Sequence, residues 1–308
     1  MLESMLMGKK ALKPPGGEIT GVFQKIGDIS GMTIITDSRG YAAKGNKVWF
    51  GVGGRVNGSY NSRIQCLDLD TLQVSPGGSD ISSGPSDRML RLNDDGSRLW
   101  IFGGYLYNST PSYLSLNTTT QLVAENGGWG SGMDAYSFAH GFRNGKLYLL
   151  GVNGTKWCYC IDTSKLGTPS TILPGTLTDT DTYGYVSCQV GTKVYLVGKS
   201  TGALMVFDMV TETTTSLLRL GKQVWCDGVY DENGVIYWLV GTDKYGYSSI
   251  LKYDIDTKKV TTVPITGAIP NRSAYYGDYS KPIWYKGAIY LFRCDLDTVE
   301  GKSLYRII

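Results

Sequence analysis

The chain has 308 residues; 42% are apolar, 12% aromatic and 41 are glycine, which describes a turn-rich globular protein able to bury a core rather than a disordered chain. Its 30 Lys and Arg against 27 Asp and Glu leave a net charge of +3 with no basic run, so the electrostatic footprint of a nucleic-acid binder is missing. The longest apolar runs, such as Val235 to Val240, are strand-sized and far short of the ~20 residues a membrane helix needs, so no membrane insertion is expected.

At the N-terminus, Met1, Leu2, Met5 and Leu6 are spaced for one face of a short helix ahead of the breaker Lys13-Pro-Pro-Gly-Gly17. Residues 1–18 therefore read either as a frayed end or as a segment docking into a larger assembly. Glu3 precedes Lys9 and Lys10, the reverse of a secretory signal, so Sec export is not expected. Next comes Phe23-Gln-Lys-Ile-Gly27, a short strand resembling Leu217-Leu-Arg-Leu-Gly221 farther along.

From Gly45 a repeat sets in. Gly45-Asn-Lys-Val-Trp-Phe-Gly51 returns as Gly96 to Gly103, Gly145-Lys-Leu-Tyr-Leu-Leu-Gly151, Gly191 to Gly198, Gly234 to Gly241 and Gly287 to Phe292. The anchor glycines lie 51, 49, 46, 43 and 53 residues apart, a period that suits four short strands and their turns. Behind each of the first five copies a second apolar strand runs into an acidic or amide residue and a Thr-rich turn, as in Cys66-Leu-Asp68, Leu116-Asn117, Cys160-Ile-Asp162, Phe207-Asp208 and Tyr253-Asp254. There the Asp and Thr side chains are expected to satisfy backbone groups of a tight hairpin.

Glycine, apolar strand, glycine, then "YD" and a Thr turn resembles the kelch repeat over Val22 to Ile308. Gly53-Gly54 and Gly103-Gly104 keep the kelch double glycine; the later copies keep one. The resemblance implies an all-β fold in which residues 19–308 form a single six-bladed β-propeller of four-stranded blades. The last repeat stops at its third strand, Lys302 to Ile308, so the strand at Phe23–Gly27 is expected to complete the last blade and close the ring.

Little catalytic chemistry is legible. A single histidine, His140, is placed on an innermost strand, which excludes multi-His metal sites, and no Gly-x-Ser-x-Gly elbow accompanies it. The six cysteines, Cys66, Cys158, Cys160, Cys188, Cys226 and Cys294, read as reduced and buried; no metal or cofactor is expected. Asp134, Asp179, Asp181 and Asp227 lie near strand starts, where an acid/base pair could work.

The loops are the informative part. Those expected on one face of the ring carry Tyr60, Tyr105, Tyr107, Trp129, Asp179, Asp181, Tyr183, Tyr245, Tyr247, Arg272, Tyr275 and Tyr276 among Asn, Ser and Gly. Rigid aromatics mixed with adaptable polar residues make a recognition surface, and aromatic rings suit stacking on sugars.

A ring with an N-terminal peg and Tyr-rich loops resembles, in organisation, the virion proteins of tailed bacteriophages. That resemblance implies a non-enzymatic component of a particle, made in the host cytoplasm. Met1, Leu2, Met5 and Leu6 would dock it to other virion proteins, and its loop face would touch a host-surface glycan or protein. The alternatives are a carbohydrate-active enzyme resembling the six-bladed mutarotases, and an intracellular protein-binding kelch module.

Overall fold

The computed structural model describes residues 18–31, 41–56, 59–76, 81–82, 89–93, 95–102, 112–119, 123–128, 139–151, 158–164, 171–173, 177–240, 247–267, 282–292 and 303–308. After β1 (Phe23–Asp28), the chain builds a first sheet from β2 (Tyr41–Lys44), β3 (Lys47–Val56), β4 (Ser59–Asp68) and β5 (Val74–Pro76), with β6 (Ile81–Ser82) added on β4. The second sheet holds β7 (Met89–Leu92), β8 (Arg98–Phe102), β9 (Ser112–Asn117) and β10 (Val123–Gly128). The third holds β11 (Ala139–Arg143), β12 (Lys146–Leu150), β13 (Cys158–Asp162) and β14 (Thr171–Leu173). Then follow β15 (Tyr185–Val190), β16 (Lys193–Gly198), β17 (Ala203–Asp208) and β18 (Thr213–Arg219) in the fourth sheet. The fifth contains β19 (Val229–Tyr230), β20 (Val235–Val240), β21 (Ser249–Asp254) and β22 (Val260–Pro264). The last contains β23 (Ile283–Tyr285), β24 (Ala288–Phe292) and β25 (Ser303–Ile307), and takes β1 as its fourth strand. Among the described residues, five sheets thus have four strands and one has five. The chain is an all-β propeller of four-stranded blades.

The repeated glycine marks the hairpin between the first two strands of a sheet. Asn144 and Gly145 both take positive φ, 49° and 72°, and Lys286 and Gly287 do the same at 46° and 76°. Two consecutive left-handed residues give the tight turn whose twist matches that of the flanking strands. The Asp positions close the hairpin between the third and fourth strands. Oδ1 of Asp68, Asp162, Asp208 and Asp254, like that of Asn117, accepts a backbone N–H two or three residues on, at 2.8–3.0 Å.

Inner strands read as unbroken apolar runs because both faces of a sheet are covered. On β12 and β13, Tyr148, Leu150, Cys158 and Cys160 pack against Val194, Leu196, Met205 and Phe207 of the fourth sheet. Tyr195 and Val197, alternating with these, face Ile236, Trp238 and Tyr253 of the fifth. The fifth and last sheets meet through Tyr237, Leu239, Ile289 and Leu291, and the last meets the first through Ala288, Tyr290, Val48 and Phe50. The third strand position of every repeat is aromatic and buried: Trp49, Trp100, Tyr148, Tyr195, Tyr237 and Tyr290. Its ring crosses the seam in three cases, with Tyr148 at 5.3 Å from Phe207, Tyr195 at 6.0 Å from Tyr253, and Tyr237 stacked at 5.6 Å on Trp284. Trp238 is fully buried with an unpartnered Nε1. That omission costs about 1–3 kcal/mol, against about 4–6 kcal/mol from burying so large a ring, so packing wins.

Cys66, Cys158, Cys160, Cys188 and Cys226 are buried free thiols, and burial holds Cys188 well above its ordinary pKa; Cys294 lies outside the described residues. The docking positions Met1, Leu2, Met5 and Leu6 lie outside them too.

Candidate functional site

Of the residues named from sequence for the loop face, Tyr105, Tyr107, Trp129, Tyr245, Arg272, Tyr275 and Tyr276 lie outside the described residues, as does Asp134; Tyr60 is placed on β4 by its backbone. Tyr247 is buried, with 8% of its surface exposed, and packs in the core between the fifth and last sheets rather than on the surface. Asp179, Asp181 and Tyr183 remain, and the structure brings them together in the loop that enters β15.

This loop is held by Asp181, which is 1% exposed. Its Oδ1 accepts the Tyr183 N–H at 2.9 Å, and its Oδ2 accepts those of Ser200 and Thr201 at 2.8 Å each, across the turn between β16 and β17. The carboxylate fits because Gly198 has no side chain: a Cβ there would stand 2.8 Å from Oδ2 and 2.3 Å from Thr201 Oγ1. Backbone bonds from Gly184 N to Asp181 O and from Lys199 N to Gly184 O complete the clamp. Asp179 sits at the rim, where Oδ2 pairs with Arg219 at 3.0 Å while its carbonyl accepts the Tyr185 hydroxyl at 2.7 Å. Burial pushes the Tyr185 phenol above its ordinary pKa, so it stays a neutral donor.

Tyr183 is 60% exposed, and its ring meets that of Trp225 edge-on with centroids 5.5 Å apart. Trp225 is half-buried in the segment from β18 to β19. Neither Trp225 nor Arg219 was singled out from sequence. The signal was available, since Gly221-Lys-Gln-Val-Trp225-Cys-Asp227 joins an outer strand to the next inner strand, like the other loops on that face.

Nearer the axis, the innermost strands are stitched by side chains. Gln189 of β15 returns both backbone bonds of Phe142 on β11, accepting its N–H at 2.8 Å and donating to its carbonyl at 2.7 Å. Ser187 Oγ accepts the N–H of His140 at 3.3 Å and lies 3.4 Å from its Nδ1, while Ser187 N donates to Asp227 Oδ1 at 2.8 Å. The backbone groups of Phe142, His140 and Ser187 thereby gain side-chain partners across the seam. His140, 7% exposed, is thus fixed at a seam between sheets. Among the described residues, no group of three or more His, Cys, Asp or Glu is placed to hold a metal ion.

No family model matches the sequence, and no curated protein matches it. Among solved structures, YjhT is similar with a TM-score of 0.60 at 12% identity, over 90% of this chain and 94% of that one. A protein of unknown function from Bacteroides thetaiotaomicron is similar with a TM-score of 0.58 at 13% identity, over 94% of this chain and 74% of that one. At these identities the likeness is one of propeller fold.

Proposed function

We propose that the chain is a six-bladed, kelch-type propeller that works by recognition rather than catalysis, as a component of a bacteriophage particle. The five-stranded sheet counts as a blade in this reading, with β6 an addition to its four-stranded path. The loop face binds a surface glycan or protein, and residues 1–18 dock the ring to neighbouring virion proteins.

The observation that carries recognition is Tyr183, an exposed aromatic ring on a loop locked by a buried carboxylate. An aromatic held in place before binding loses little entropy when it binds. Docking through the N-terminus is supported by the anchorage of the residues next to it: Ile19 is 2% exposed and Glu18 pairs with Lys252 at 2.8 Å. An acid/base enzyme using Asp179 and Asp181 is disfavoured because both Asp181 oxygens accept backbone N–H groups and Asp179 is paired with Arg219.

The test is fractionation of particles from the native source. The full chain is expected to sediment with particles, and a chain lacking residues 1–17 to be folded but left in the soluble fraction. Full-length chain found only as free protein would overturn the particle assignment.

A further inference from the structure

We draw no further inference here: the strongest candidate, the apolar surface at the outermost strand of the last sheet, where Val22 and Ile26 are exposed beside and on β1, carries nothing because nothing in the structure shows what covers it.

Discussion

Asp179 and Asp181 are two residues apart and chemically identical, yet they have opposite environments. Replacing Asp181 with Ala leaves three backbone N–H groups without an acceptor around a 1%-exposed position, a loss of about 2–3 kcal/mol. Replacing Asp179 with Asn weakens only a rim ion pair whose arginine is 64% exposed, worth at most about 0.5 kcal/mol. Urea unfolding of the two variants should separate them clearly, and equal midpoints would refute the assigned roles. Sequence could nominate both carboxylates but not rank them. The room for Asp181 is made by Gly198, 17 positions on, and its donors come from the turn after β16, so its burial is a tertiary fact. The same limit applies to Tyr247, whose Gly- and Tyr-rich neighbourhood reads as exposed loop although the ring is sealed between sheets.

At the level of the element, the hairpins were the most legible part, because a Gly turn and an Asp cap act locally and need no partner far away in sequence. Asp68 has a measurable consequence. Lys47, at 2.7 Å, and the N–H groups of Thr71 and Asp70 hold its carboxyl down at about 2, below the ordinary 3.8. A carboxylate depressed in the folded state contributes stability above its unfolded value and loses it as pH falls through the folded one. Asp68 therefore stabilises fully above about pH 4 and fades between pH 4 and 2. The side chain is near the surface, so its contribution is on the order of 1 kcal/mol after screening. Asp68→Asn should melt lower at neutral pH and lose less on acidification across that window; parallel acid limbs for the two proteins would exclude the role. What was not legible at this scale is the aromatic third position, from Trp49 to Tyr290. It is visible in all six repeats, but its purpose requires knowing that each sheet is covered by another on that side.

For the whole molecule, the decisive element is the segment from Glu18 to Gly31. It is laid across three sheets: Thr266 N bonds Gly21 O and Phe23 N bonds Thr266 O beside β22, β1 pairs antiparallel with β25, and Ser30 exchanges bonds with Leu72 and Val74 beside β5. Ile19 and Ile29 anchor its two ends at 2% and 5% exposure, and Phe23 stacks on Tyr305 at 5.1 Å. A propeller whose last sheet ended at β25 would have one strand fewer there and lose the tie between its neighbours. Removing residues 1–28 takes away the Ile19 anchor, the ring stack and the β1 ladder, a sum on the order of 5 kcal/mol against the 5–15 kcal/mol that holds a typical domain. The melting temperature should then fall by roughly 10 °C or more, whereas removal of residues 1–17 alone should leave it nearly unchanged. A milder variant makes the same point without deletion. Gly21 has φ +85° and a Cβ there would stand 2.1 Å from the Pro264 carbonyl oxygen, so Gly21→Ala should also destabilise the whole ring. Because the segment closes the sheet by main-chain pairing, a synthetic peptide of residues 18–31 added to the chain lacking residues 1–28 should raise its melting temperature as peptide concentration rises. A truncated chain that melts like the full one, or that ignores the peptide, would mean that the ring holds itself together without the tie.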